Sequence, residues 1–329
     1  MDCHSPGRWV AIPLKKDQYK MGKKLSMKGW LFISPALILL AVFLVYPIIY
    51  SFYLSFTSTK GIISSFVGFK NYIRLVKDPM FLLALKNTGI ILLIQVPIML
   101  ISALILANIL NDRKLAGRGI FRTAIFLPSV TSLIAYTILF KMLFSFDGII
   151  NRLLLSTGIV DHPLEWLTTP KLAVFVLILA MLWRWTGYNT VFYLSAMQNI
   201  SYEIYEAAEI DGASKTQTFL RITLPLLKPM ILFTTIMSTI GTLQLFDEPM
   251  NLSQGGVTAA TMGPGNCFLT LSVYIYNLCF KYVPNFGYAA TVSYVIVFII
   301  AGLTVLQFWA GQSNEEKDAK KRLEKEGKA

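Results

Sequence analysis

SYEIYEAAEIDGASKTQTFLRITLPLLKP, residues 201–229, joins two apolar stretches yet has a helical grammar of its own. Ser201 stands where a helix N-cap belongs, with Glu203 and Glu206 near the positive end of the helix that follows. Ala207 and Ala208 are small enough to let another surface approach. Gly212 supplies a break of the kind that ends helices in a left-handed residue. Ser214, with Gln217 three residues on, makes a capping box for a second helix. Leu224-Pro225 then leads into the next apolar stretch. The expected product is a helix–turn–helix bracket, stiff enough to transmit force.

On either side of this bracket the chain is built for a membrane. It has 329 residues, 55% hydrophobic and 15% charged, with 30 Lys+Arg against 18 Asp+Glu and a net charge of +12. A soluble domain has about a quarter charged residues, so this composition in water would expose large apolar patches. The positive excess points to membrane ends and not to nucleic acid, because apolar runs accompany it. A spanning helix needs about 20 apolar residues. Six stretches meet that length: 30–56, 88–110, 119–144, 172–197, 224–248 and 286–310. Pro35, Pro47, Pro97, Pro128 and Pro229 fall in them as expected kinks.

Counting Lys and Arg sets the orientation. The tails 1–29 and 311–329 and the connections 111–118 and 198–223 carry 18; the connections 57–87, 145–171 and 249–285 carry 8. The richer side is the cytoplasm by the positive-inside rule, which places both termini and the bracket there. Five of the 8 lie in 57–87, where FVGFKNYIRLVKDPMFLLALKN is patterned as an amphipathic surface helix. The domain reading is a cytoplasmic tail 1–29, a six-helix membrane domain 30–310 and a charged tail 311–329 that prolongs the last helix and frays. No cleavable signal peptide is apparent, and residues 1–20 read as unstructured. The glycine-bearing segment 251–277 reads as a flexible outer loop. Cys267 and Cys279 share that connection and read as free thiols, with a disulfide as the alternative.

The bracket resembles a known family. Glu206-Ala207-Ala208, three residues, Gly212, nine residues, Ile222, one residue and Leu224-Pro225 match the EAA loop of ATP-binding-cassette import permeases, and Asp211-Gly212-Ala213 fits the form of its carbohydrate branch. ISPALILLAVFLVYPIIYSFYLSFT, VGFKNYIRL, GRGIFRTAIFLPSV and NFGYAATVSYVIV resemble the first permease subunits of di- and oligosaccharide importers, maltose-type included. The resemblance implies an all-α, MetI-like permease fold with the coupling loop at 201–225. It implies a bacterial inner-membrane location, a second homologous permease, two ATPase subunits and an extracytoplasmic solute-binding protein that faces the segment after the fifth span. Glu206, Ala207, Ala208, Asp211, Gly212, Ala213, Leu224 and Pro225 are then the ATPase-coupling residues. ATP and Mg2+ belong to the partner ATPase, and this chain needs no cofactor or metal of its own.

Sugar paths need aromatic faces and neutral hydrogen-bonding groups, which lipid cannot satisfy. The fourth span carries Trp183, Arg184, Trp185, Tyr188 and Asn189; the fifth carries Ser238, Thr242, Gln244 and Asp247. Trp185 and Tyr188 share a helix face, as do Ser238 and Thr242. The resemblance adds Gly241 and Leu245, so the candidate path is Trp185, Tyr188, Asn189, Ser238, Gly241, Thr242, Gln244 and Leu245. Helix packing is the alternative for each. Arg184 costs roughly 2.5–3.5 kcal/mol to insert. It needs an acidic or carbonyl partner, or water; an ion pair with Asp247 or Glu248 is the default expectation, and an anionic sugar such as a uronate oligosaccharide or a glycerol phosphate is the alternative that would give it a direct role.

No GxxxxGK[ST] motif appears, nor GxSxG or HExxH, and His4 and His162 lie in no metal-ligand spacing. An intramembrane enzyme therefore has little support. An ion-coupled secondary transporter fits the composition, but the bracket argues against it.

Overall fold

The computed structural model describes residues 16–60, 63–112, 115–253 and 261–311. The chain divides into two compact units, residues 1–54 and 55–329. The described part of the first unit is one long helical run. Helix α1, Lys16–Leu40, passes through a π-helical turn at Ala41–Val45 into α2, Tyr46–Ser55. The helix thus begins inside the tail read as unstructured over 1–20; residues 1–15 lie outside the described ones. The π turn has a local cause. Pro47 has no N–H to offer the carbonyl four residues back, and the Tyr46 N–H reaches instead to Ala41 O, five residues back. Its apolar side chains, Phe32 and Phe43 among them, are exposed, as suits a helix solvated by hydrocarbon.

The second unit opens with an antiparallel hairpin, β1 (Thr57–Lys60) and β2 (Ile63–Phe66), paired Thr57 to Phe66. A short helix α3 (Lys70–Val76) follows. Asp78 then caps α4, Pro79–Asn111, accepting from the Met80 and Phe81 N–H groups. The surface helix expected over 66–87 is therefore corrected. Only 70–76 forms it, because Asp78-Pro79 is a strong helix start that carries the rest into the second span.

Two of the six expected spans are broken. The third is α5 (Arg118–Val130) and α6 (Leu133–Leu143), bent by 98°. The fifth is bent by 69° at Leu227 between the bracket's second arm and α12, Lys228–Leu243, and α12 ends before α13, Asp247–Leu252. The fourth and sixth are the unbroken α8 (Pro170–Gln198) and α15 (Phe286–Gly311); α7, Ile149–Ser156, lies between the third and fourth. Six spans result when each bent pair counts as one.

Helices α4 and α8 form the central pair; α5 packs on α8, and α12 packs on α4 and α15. The approach of α5 to α8 is close enough that a Cβ on Gly187 would lie 1.9 Å from the Ile125 carbonyl oxygen. The apolar core falls into two clusters along the central pair. One contains Ile91, Leu177 and Met181, the other Val96, Met99, Tyr193 and Met197. Between them lies a layer of buried polar groups, among them Gln95, Arg184, Thr186, Asn189 and Thr242.

The segment after α13 is not a floppy loop over the residues described. A 3-10 turn at Pro264–Asn266 and helix α14, Leu271–Tyr276, fold back into the core, where Phe268, Leu269 and Thr270 are buried. Asn87 on α4 donates to Asn266 O and Leu269 O at 2.9 and 3.1 Å. Residues 254–260 and the charged tail 312–329 lie outside the described residues. Cys267 and Cys279 are both free.

Candidate functional site

The bracket forms as its residues dictate. Helix α9, Tyr202–Ile210, ends in a Schellman arrangement: the Gly212 N–H donates to Glu209 O at 3.1 Å and the Ala213 N–H to Ala208 O at 2.9 Å. Gly212 takes φ +74°, the left-handed conformation that this closure requires. Ser214 and Gln217 complete a reciprocal capping box on α10, Lys215–Thr218. Ser201 occupies the N-cap of α9, but its side chain makes no capping bond. A π turn at Phe219–Thr223 precedes α11, Leu224–Leu226. It stands in the same relation to Pro225 as the first π turn does to Pro47, with the Leu224 N–H reaching Phe219 O.

Glu206, Ala207, Asp211, Gly212 and Pro225 are exposed; Ala213 and Leu224 are half-buried. Ala208 is buried inside the bracket, so of the two alanines only Ala207 offers a surface to approach. The arms are joined by the Thr223 hydroxyl, which donates to Tyr205 Oη at 3.4 Å. Lys215 pairs with Asp112, just past the end of α4, at 2.9 Å. That hydrogen bond and the carboxylate's charge hold the Lys215 ammonium above the ordinary lysine range. Ile210, at the bracket's tip, is 85% exposed. An apolar tip ringed by acidic groups has the character of a docking surface.

The candidate path residues separate into two environments. Tyr188, Gly241 and Gln244 are exposed, and Trp185 and Ser238 are half-buried. Asn189, Thr242 and Leu245 are buried within this chain. Thr242 donates to Gln95 Oε1 at 3.1 Å and to Ser238 O at 2.9 Å. Asn189 donates to Trp185 O at 3.0 Å. Gln95 was not visible as a site residue in the sequence; a lone amide inside the apolar run 88–110 was its only signal. The exposed face is an aromatic ladder. Successive ring centroids lie 5.8 Å apart from Trp185 to Tyr188, 5.0 Å to Phe192 and 5.9 Å to Phe233 on α12. Phe192 and Phe233 were not singled out either, although Phe192 sits four residues beyond Tyr188 on the same face.

Arg184 makes no ion pair with Asp247 or Glu248, which corrects the expectation. Its Nη1 donates to Thr131 O at 2.5 Å, a carbonyl freed by the break between α5 and α6. The guanidinium lies 4.9 Å from the Tyr136 ring and 5.3 Å from the Trp185 ring. Glu248 instead accepts from Tyr136 Oη at 2.8 Å and from the Trp185 indole N–H at 3.4 Å. The two charges are thus coupled through shared aromatic neighbours.

Comparison with known proteins gives a consistent picture. Residues 88–312 match the family described as binding-protein-dependent transport system inner membrane component. The chain is 54% identical to the lactose transport system permease protein LacF of Rhizobium radiobacter, over 88% of this chain and 96% of that one. It is 36% identical to the arabinooligosaccharides transport system permease protein AraP of Bacillus subtilis, over 84% and 86% respectively. Among solved structures, it shares the fold of a chain of a bacterial transporter for import of the acidic polysaccharide alginate, with a TM-score of 0.75 at 23% identity, covering 89% of this chain and 98% of that one.

Proposed function

We propose that this chain, which belongs to the family of binding-protein-dependent transport system inner membrane components, is one of two permease subunits of an ATP-driven importer of neutral di- and oligosaccharides. The observation that carries the reading is the bracket at 201–225, pre-shaped by its Schellman turn and capping box and presenting Glu206 and Ala207 outward. Its function is to dock in a separate ATPase subunit, which binds ATP and Mg2+, and to pass that subunit's closure to the spans. The complete importer holds a second, similar permease, two ATPase copies and an extracytoplasmic solute-binding protein, in a bacterial inner membrane with both termini of this chain cytoplasmic.

Two observations support a neutral sugar as cargo. The relative at 54% identity is a lactose permease. Arg184, the cation near the middle of α8, is 8% exposed and is turned to a backbone carbonyl and two rings, so little of its guanidinium is presented to the path. An aromatic ladder with polar groups beside it suits the apolar faces and hydroxyls of a neutral sugar.

The test is uptake of radiolabelled di- and oligosaccharides by a strain lacking this gene, complemented with wild type or Glu206→Lys. Wild type restores uptake; Glu206→Lys reaches the membrane but loses transport and sugar-stimulated ATP hydrolysis. Full stimulation in Glu206→Lys removes the docking role. Transport by this chain alone in liposomes overturns the multi-subunit assembly.

A further inference from the structure

We propose that Glu248 is a positioning residue of the sugar path, holding the Trp185 indole in the orientation that meets the substrate. The proposal rests on the reading of Trp185 as part of that path. Glu248 lies in the first turn of α13, just past the end of α12, and is 4% exposed. A carboxylate so buried persists only with partners. Its hydrogen bonds converge on one oxygen: Oε1 accepts from Tyr136, itself 2% exposed, and from the Trp185 N–H. On the ring faces of both donors sits the Arg184 guanidinium, anchored to the carbonyl of Thr131. Trp185 is therefore held at its N–H by Glu248 and at its face by Arg184. Tyr188 meets it edge-on at 90°.

An indole turns about two side-chain torsions, and a sugar stacks only on a ring whose plane is fixed. A tether at the N–H removes the flipped orientation, which is how a supporting residue sharpens a binding surface without touching the ligand. The same cluster sits at both discontinuities of the outer half. Arg184 occupies the carbonyl left by the α5–α6 break, and Glu248 opens the helix after the α12 break. Orientation of the ring is thereby linked to the geometry of the two broken spans.

The experiment uses the assembled importer in a deletion strain, with radiolabelled lactose as probe, reading KM and Vmax per membrane-inserted complex. Glu248→Ala should raise KM by about tenfold with Vmax within about twofold, the pattern of lost ground-state binding. Trp185→Ala should do the same, and the double variant should be no worse than Trp185→Ala alone, because the glutamate acts through the indole. Glu248→Gln, which keeps the accepting oxygen, should return KM to within about threefold of wild type. Multiplying losses in the double variant, or a Gln variant as impaired as Ala, overturns the proposal. If Glu248→Ala does not reach the membrane, Trp185→Phe removes the N–H and leaves both buried charges in place; a wild-type KM there also overturns it. A wild-type importer that carries no sugar would instead sink the functional reading, so the two failures stay distinct.

Discussion

Gly187 and Gly212 are glycines under two different constraints, and Gly241 is under neither. At Gly212 a Cβ would meet nothing within 4 Å, but φ is +74°. Alanine there pays only backbone strain, about 1–2 kcal/mol, and asparagine, which tolerates the left-handed region, pays less. Melting of the purified complex and amide exchange across 205–218 should rank the three in the order Gly, Asn, Ala. At Gly187 the constraint is space. The Cβ clash with a backbone carbonyl has no flexible end to yield, so Gly187→Ala should push α5 off α8 and lower stability by about 1–3 kcal/mol or more. Gly241 is exposed with open space around it. Gly241→Ala, inside α12, should leave the melting temperature unchanged or raise it slightly, so any loss in its uptake kinetics reports on the path and not on the fold.

Among the elements, one carboxylate ties α4, α14 and α15 together. Asp78 caps α4 with Oδ1, while Oδ2 accepts from Tyr274 on α14 at 2.5 Å and Tyr288 on α15 at 2.6 Å. Arg74 of α3 lies 4.4 Å over the Tyr288 ring. Burial alone would raise the Asp78 pKa, but the two hydroxyls and the Met80 and Phe81 N–H groups outweigh it and hold it below the ordinary carboxylate value. A depressed native pKa stabilises the fold above the ordinary aspartate range, and that stability is lost as pH falls through the native value. Asp78→Asn should therefore melt lower than wild type at pH 7, and the gap should close as the pH is brought below that native value. This node was not legible in the sequence, whereas the capping box at Ser214 and the turn at Gly212 were. The difference is range. Caps and left-handed turns are settled by residues three or four apart, while Asp78 meets Tyr288 across 210 positions and Arg184 meets Thr131 across 53. The same holds for the spans. Their apolar runs announced six crossings, and Pro47 and Pro225 lie just after the two π turns they provoke. The 98° break at Thr131-Ser132 carries no proline or glycine of its own, and its freed carbonyl finds Arg184 only once α5 and α8 have packed. The exposed and buried faces of α8 and α12 were likewise undecided until Met99 and Gln95 of α4 had claimed Asn189 and Thr242.

For the molecule as a transporter, everything depends on which side of the membrane the bracket stands. Both of its arms run directly into the packed helices, α9 after α8 and α10 through a 69° bend into α12, with Lys215 braced on Asp112 beside the end of α4. In the proposed coupling, a push on the bracket would reach the helices that carry Trp185 and Ser238 and the one that carries Gln95. This chain of contacts does the proposed work only if the push comes from the cytosol, the side that the 18:8 distribution of Lys and Arg predicts for it. Ile210 gives a direct reading, since it is 85% exposed at the tip. A single cysteine placed there, in a chain with Cys3 and Cys279 replaced, should react with a membrane-impermeant maleimide in inside-out vesicles and not in right-side-out ones. Cys267 can remain, because burial pushes its thiol up to about 11 and keeps it unreactive at neutral pH. Co-expression of the partner ATPase should then slow labelling at position 210 by about tenfold or more, as a docked surface shields its core from solvent. Labelling confined to right-side-out vesicles would invert the topology and with it the direction of coupling; labelling from inside but unaffected by the ATPase would place the docking contact elsewhere on the bracket, away from its apolar tip.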